Sequence, residues 1–298
     1  LTITFTIPTD LKKMAHFLAS LNSNSNYHIG YCGENENEIY QTLLSDFSVL
    51  ESSNSFIVAY ENKEILGAIG LDIDEGNKQA EVWGPYVKDP ERFQVIATQL
   101  WSKLSILNQK TVKKYSFFIN TENTLVRQFV LDMNGIENGN YYILHASADN
   151  IVCEEEQEII YYGPSYYDSF VNLHELSFPD TYFKADEIIS RINDYNHLLI
   201  YKDKDEGIKG YVYVEADPDP KHGEGSIEYV SVYPEYQKQG VGTKLVRAAL
   251  NHLIFKDSLI EITLCVGAEN EKAVHLYKAS GFQVKHELTY LKKEIPST

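Results

Sequence analysis

The chain reads as a mixed α/β protein of the α+β kind, with one layout of strands and helices written twice. Three observations predict this. Runs with apolar residues every second position alternate with runs at three-to-four-residue spacing, the strand and helix periods. The order of these runs in residues 1–147 recurs in residues 158–298. Paired signatures recur with it: Tyr60-Glu61-Asn62-Lys63-Glu64-Ile65-Leu66-Gly67 resembles residues 201–210, and Glu122-Asn123 with Gly135-Ile136 resembles Glu269-Asn270 with Gly281-Phe282. Repetition of this kind marks a duplicated unit, here two tandem domains, each a mixed central sheet flanked by helices.

In the first half, alternating Leu1, Ile3, Phe5 and Ile7 predict a strand that Pro8 stops. Asp10 is placed to cap a helix over residues 11–20. A polar run, 22–37, precedes a second helix near 38–44. Residues 56–60 and 65–73 predict a hairpin turning at Asn62-Lys63-Glu64, followed by a strand near 80–87. Pro90 precedes a helix over about 92–107, residues 115–119 return to strand, and a helix over 125–131 ends at Asn134-Gly135. Residues 141–144 are strand-like. The acidic stretch 148–157 is the expected linker, a loop inside one domain and a strand donated across the domains being the alternatives.

The second half repeats the order. Helices are expected over 166–176 and 185–195, and strands over 197–201, 208–215 and 226–232, with Asp217-Pro218-Asp219-Pro220 breaking the ladder. A long helix follows over 241–255, then a strand over 260–266, a helix over 272–278 and a closing strand over 283–291.

Composition narrows the function. With 298 residues, 43% of them apolar, the chain has the material for two cores. A net charge of −17 opposes nucleic acid and anionic membranes and is compatible with a cationic substrate, although solubility alone also accounts for it. Cys32, Cys153 and Cys265 form no CxxC pair, which fits a reducing, cytoplasmic setting, and Cys265 in an apolar strand reads as core. No apolar run approaches the length that spans a bilayer, and the start lacks a basic leader with a long apolar run. His174, His197 and His222 show no zinc-type spacing, so no metal is expected. No Gly-x-Ser-x-Gly elbow is present.

The most informative stretch is Val230-Ser231-Val232-Tyr233-Pro234-Glu235-Tyr236-Gln237-Lys238-Gln239-Gly240-Val241-Gly242. An apolar strand ends, and a two-glycine turn opens a helix with a stripe of Leu245, Val246, Ala249, Leu250, Leu253 and Ile254. Such a turn aims backbone N–H groups at one point, a site suited to a diphosphate. A tight turn with close helix packing is the structural alternative. Neither a Walker loop nor a Gly-x-Gly-x-x-Gly fingerprint is present.

Gln237-Lys238-Gln239-Gly240-Val241-Gly242 matches Gln/Arg-x-x-Gly-x-Gly/Ala and so resembles the GCN5-related N-acetyltransferase (GNAT) superfamily. Residues 227–236 and 270–282 resemble it too. The resemblance implies acetyl-CoA as cosubstrate and an amine as acceptor. It implies that the N–H groups of Gln239, Gly240, Val241, Gly242, Thr243 and Lys244, in the turn with Gln237 and Lys238, hold the pyrophosphate. Val230 and Val232 would pair with pantetheine amides, and Asn270 and Ala273 would border its far end. Tyr277 is the expected acid at the departing sulfur, against a packed tyrosine as the alternative. Glu228 is a candidate proton relay on the face of Val230 and Val232, against a solvent-facing carboxylate. His174 and Glu175 fall where the fold lines its acceptor pocket; His174 is equally readable as a surface residue.

The first half lacks a glycine pair at its helix entrance, where Phe93 and Val95 stand, and has Leu131 near the counterpart of Tyr277. The expectation is a degenerate first domain and a working second one, transferring acetyl groups directly to a small-molecule amine. A noncatalytic acyl-CoA or small-ligand binding protein is the alternative. Monomer and homodimer both fit.

Overall fold

The computed structural model describes residues 2–45, 55–151, 156–179, 181–204, 207–216, 224–256 and 259–295. Cys153, His222, the break at 217–220 and part of the 148–157 linker lie outside them. In chain order the elements are β1 (Thr4–Thr6), α1 (Leu11–Asn22), α2 (Glu36–Ser45), β2 (Phe56–Glu61), β3 (Glu64–Asp74), β4 (Gln79–Val87), α3 (Phe93–Asn108), β5 (Lys114–Asn120), α4 (Thr124–Asp132) and β6 (Ile136–Ser147). There follow β7 (Ile159–Tyr161), α5 (Tyr167–Ser177), α6 (Ala185–Arg191), β8 (Asn196–Lys202), β9 (Ile208–Ala216), β10 (Glu224–Val232), α7 (Val241–Asn251), β11 (Glu261–Gly267), α8 (Glu271–Ala279) and β12 (Gln283–Glu294).

Two compact units form, one from Leu1–Tyr141 with His286–Thr298, the other from Tyr142–Lys285. These bounds differ from a division at 147/158, and strand pairing is the reason. β12 does not close the second unit's sheet. It pairs antiparallel with β5, from Leu288 opposite Asn120 to Glu294 opposite Lys114. The strand order in the first unit is β1-β2-β3-β4-β5-β12, and in the second β7-β8-β9-β10-β11-β6. The second unit thus takes as its sixth strand the C-terminal part of β6.

Within each unit the same local physics recurs. In the first, Asp10 caps α1 by accepting from Lys13 N–H at 3.0 Å, and α1 buries Met14, Ala15, Phe17 and Leu18. The central helices lie close to their sheets because a glycine faces each. A Cβ on Gly67 would meet Tyr86 O at 2.7 Å and Ile96 Cγ2 at 3.1 Å; a Cβ on Gly210 would meet Ser231 O at 2.5 Å and Leu245 Cδ1 at 3.0 Å. In the second unit, α7 covers one sheet face, packing Leu245, Val246, Ala249 and Leu250 on Leu199, Val212, Val214 and Ile262. α5 and α6 cover the other, packing Phe170, Leu173 and Ile188 on Leu198, Ile200, Tyr211 and Tyr213. The helix expected over 241–255 holds to Asn251 and then widens into a π turn, His252–Lys256. No helix among the described residues is long and apolar enough to cross a membrane.

Candidate functional site

The parallel ladder between β10 and β11 covers Glu224–Ser226 opposite Glu261, Ile262 and Thr263, and among the described residues it stops there, although β10 continues to Val232 and β11 to Gly267. β10 remains paired with β9 up to Val232 opposite Gly210. Tyr233 N–H bonds Lys209 O at 2.9 Å. Backbone groups alternate in direction along a strand, so the N–H and C=O of Val232 and Val230 point away from β9 into the gap. The Gln237 side chain reaches back and donates to Val232 O at 3.0 Å.

At the mouth of this gap a 3-10 turn, Pro234–Tyr236, is followed by residues 237–240 and then α7. Lys238 and Gly240 both take left-handed backbone, with φ of 60° and 81°. For a lysine this is uncommon, and two such residues around Gln239 curl the loop into a concave run of N–H groups. Gly240 precedes the first helical residue with no side-chain cap. Nothing lies within 4 Å of where its Cβ would stand, so the cradle is open. The N–H groups of Val241, Gly242 and Thr243 begin the helix and have no carbonyl one turn earlier. Lys244 differs from the expectation. Its N–H bonds Gly240 O at 3.0 Å, closing the first turn, and its ammonium pairs with Glu156 at 2.9 Å. That carboxylate holds the lysine pKa above its ordinary value.

The two glycines are there for different reasons. Gly240 supplies the backbone angle. Gly242 supplies clearance, since a Cβ there would sit 3.2 Å from Leu276 Cδ1 on α8. These features fit a coenzyme A diphosphate and pantetheine: an open cradle at a helix start, uncapped N–H groups, and a strand edge with outward amides.

α8 carries Tyr277. Asn270 caps that helix by accepting from Ala273 N–H at 3.2 Å, so the Ala273 N–H is already engaged. Tyr277 is half-buried, edge-on to Phe282 at 5.6 Å, with Ala273, Val274 and Leu276 packed on the same core. Loss of solvent raises its phenol to about 12, so the proton stays in place across the physiological range.

Glu228 is exposed, and its face differs from the expectation. The β10–β9 register shifts between Ile227 and Tyr229. The extra residue breaks the period of two. Ile227, Val230 and Val232 therefore share the α7 side, Tyr229 faces the α5 side, and Glu228 accepts from the Ser226 hydroxyl. His174 is buried at 1% exposure, not on the surface. It bonds the Tyr211 hydroxyl through Nδ1 at 2.5 Å and Phe183 O through Nε2 at 2.9 Å, and burial lowers its pKa. Both nitrogens are committed to protein groups, which leaves it no proton role toward a substrate. Glu175 is exposed. Cys265 is exposed too, and not core: on β11 Ile262 and Val266 turn inward, while Thr263 and Cys265 turn outward.

Sequence reasoning missed a row along β10. The Tyr229 hydroxyl accepts from Phe183 N–H at 3.2 Å and bonds Thr181 Oγ1 at 2.6 Å. Ser231 Oγ bonds Ser177 Oγ at 2.6 Å, and the Tyr233 hydroxyl donates to Ser169 O at 3.0 Å. Three hydroxyls at every second residue were the available signal. In the first unit, His28, Glu34 and His286 bring ligand-type atoms within 4.8 Å. The two imidazoles are stacked at 3.8 Å and 14°, however, so their in-plane lone pairs run side by side and do not converge as ion ligands must.

Residues 164–282 match the Acetyltransferase (GNAT) family. Spermidine N(1)-acetyltransferase of Escherichia coli K12 is 36% identical over 61 residues, 20% of this chain and 33% of that protein, so the chain spans about a third of that relative's length. A GCN5-related N-acetyltransferase from Sphaerobacter thermophilus superposes with a TM-score of 0.72 at 16% identity, over 99% of this chain and 96% of that one. A tandem GNAT protein from the clavulanic acid biosynthesis pathway gives 0.61 at 13% identity over 100% of both chains. At these identities the structural likeness speaks for the fold, a tandem pair of such domains.

Proposed function

We propose that the chain, whose residues 164–282 match the Acetyltransferase (GNAT) family, is an acetyl-CoA-dependent N-acetyltransferase, with one working site in the second unit and a small cationic amine as acceptor. The loop of Lys238 and Gly240 opening α7 beside the unpaired edge of β10 carries this reading. Acetyl-CoA, when bound, supplies an acetyl group activated as a thioester. The residues of the chain bind and move protons. The N–H groups of Gln239, Gly240, Val241, Gly242 and Thr243 grip the diphosphate. The outward amides of Val230 and Val232 align the pantetheine arm. Tyr277 keeps its Oη proton up to about pH 12 and donates it to the departing sulfur. Glu228, exposed on the bulge, accepts the acceptor ammonium's proton through solvent, leaving a neutral nucleophile.

The cationic acceptor draws support from the −17 charge and from the spermidine acetyltransferase, which shares 36% identity over its matched segment. The first unit has no counterpart of residues 237–240: its 3-10 turn, Pro90–Arg92, runs straight into α3 at Phe93. We infer that it holds no coenzyme.

A mass-spectrometric acceptor screen with acetyl-CoA, paired with calorimetry, tests this reading. The expected result is one coenzyme A bound per chain and transfer to an alkyl amine. Gly240→Glu, which puts a charged side chain on left-handed backbone in the cradle, is expected to weaken coenzyme A binding about 100-fold or more. Two sites per chain, or wild-type affinity in Gly240→Glu, overturns the assignment.

A further inference from the structure

The helix pair α3–α4 of the first unit can be laid on the pair α7–α8 of the second. Counted from their caps, Asn123 and Asn270, Phe129 corresponds to Leu276 and Asp132 to Ala279. Phe93 meets Phe129 edge-on at 6.1 Å, and Gly242 is the residue that faces Leu276, so Phe93 corresponds to Gly242. Ile96 and Leu245, which face Gly67 and Gly210, give the same helix register. In that register Thr98 corresponds to Arg247.

The two pairs are closed differently. In the second unit the Arg247 guanidinium spans the helices and donates through Nη2 to Ala279 O at 3.1 Å. In the first unit a threonine is too short to cross, and an aspartate stands in place of the alanine. Between α3 and α4 there remains a cavity of about 370 Å³, inside the range of roughly 300–1,000 Å³ usual for small-molecule sites. Its mouth is polar, with Thr98 and Asp132 exposed. Its floor is apolar, with Phe129 buried and Trp101 half-buried. The indole is held from beneath by Tyr115 and Phe117, ring centroids 4.9 and 5.9 Å away. Gln128 Nε2 donates to Asp132 Oδ1 at 2.8 Å and steadies the carboxylate. Lys293 reaches the cavity from β12, its ammonium donating to Met133 O at 2.6 Å. An ammonium has three donors, and that carbonyl takes one.

We propose that this cavity is a second ligand site, separate from the reaction centre, and that it takes a small molecule with a guanidinium head and an anionic end, of the arginine type. The head stands where the second unit's own guanidinium crosses between its helices. Trp101 offers it an aromatic face and Asp132 a carboxylate, while the anionic end lies toward Lys293. A guanidinium suits this place better than an ammonium does, because it is planar, weakly hydrated, stacks on rings and presents paired donors to a carboxylate. Every residue of the site belongs to the first unit. The inference is therefore independent of the acetyltransferase reading.

Calorimetry on the full chain, without acetyl-CoA and with arginine as the probe, tests this. A single weak arginine site per chain is expected. Ornithine, which carries an ammonium in place of the guanidinium, and agmatine, which lacks the carboxylate, should each bind about fivefold more weakly. Thr98→Arg, which installs the second unit's residue, should fill the cavity and abolish binding. Asp132→Ala should weaken it about fivefold. Both positions are exposed, so both variants should keep the wild-type melting profile and coenzyme A affinity. No arginine heat at millimolar concentration overturns the proposal. So does ornithine or agmatine binding as tightly as arginine. An arginine affinity unchanged in Thr98→Arg overturns it too, because the ligand then sits elsewhere, the acceptor's place included. The acetyltransferase reading stands or falls on acetyl transfer, which neither variant should alter.

Discussion

An asparagine caps the fourth helix of each unit with nearly the same backbone, φ −80° and ψ 66° at Asn123, φ −80° and ψ 64° at Asn270. Around that shared point the units diverge. The position of Tyr277 is Val130 in the first unit, since Gly135 N–H bonds Val130 O just as Phe282 N–H bonds Tyr277 O. By strand register Trp83, opposite Gly70, takes the position of Tyr229, opposite Tyr213, and Glu228 on the bulge has no paired counterpart. Residues 237–240 have no counterpart in the first unit, and its interstrand gap holds the chain's own backbone, where Ile29 bridges Ile119. The comparison teaches that the scaffold and the chemistry are separable. Sheet register, helix caps and the close-packing glycines recur in both units, whereas Tyr277 and residues 237–240, on which the proposed transfer rests, have no like residues at the matching places in the first.

The largest expected break in this contrast is at the acid. Tyr277→Phe should lower kcat about 100-fold while coenzyme A affinity by calorimetry holds, because only the hydroxyl is lost. Val130→Tyr in the first unit should change neither. A normal Tyr277→Phe rate would remove the phenol from the mechanism.

Next comes the polar brace. Asn22→Ala strips partners from Ile29 N–H, Cys32 O, Gly33 O and the Tyr86 hydroxyl, and should cost about 3 kcal/mol in urea unfolding. Ser177→Ala at the matching end of α5 removes one part-buried hydroxyl bond, to Ser231, and should cost about 1 kcal/mol. Equal costs would mean that the inserted segment contributes no stability of its own.

A smaller effect separates the units by pH. Burial lowers the pKa of His174, so the unfolded chain takes up its proton first as pH falls. The histidine's neutral-state contribution is intact above about 6.5, the ordinary histidine value, and is lost as pH drops from there through the lowered folded value. The Tm of the second unit should fall over that window, and His174→Gln should flatten this part of the profile. An unaltered profile in the variant would assign the acid sensitivity elsewhere.

The finest distinction lies in the caps. Asn270→Ala should cost about 1 kcal/mol, a lost N-cap in an exposed setting. Asn123→Ala should cost more, about 2 kcal/mol, because that side chain is buried and also donates to His28 O. Both are read from denaturant midpoints.

The repeated element order was legible because it is local: alternating apolar runs, the cap at Asp10 and the left-handed turn at Asn62 and Lys63 depend on neighbours in sequence. The loop of residues 237–242 was legible for the same reason. Contacts between distant residues were not. Ile29 and Cys32 sit in a polar run, 22–37, that looks like a solvated loop until β5 is placed beside it. The bulge at Glu228 reversed the face assigned to it, since one extra residue inverts a period of two. Counterparts assigned by sequence spacing also slipped. Val130, not Leu131, matches Tyr277. His174 carries no burial signal in its own helix; its concealment comes from the Tyr211 and Phe183 groups that close over it.

The pairing of β12 with β5, and of β6 with β11, has a consequence for anyone cutting the gene. A fragment beginning at residue 158 would leave β11 without its outer neighbour and carry away a C-terminal strand belonging to the other half. No single scission yields two intact pieces. Truncation is therefore the wrong instrument for assigning activity to either half, and point substitutions in the uncut polypeptide are the right one.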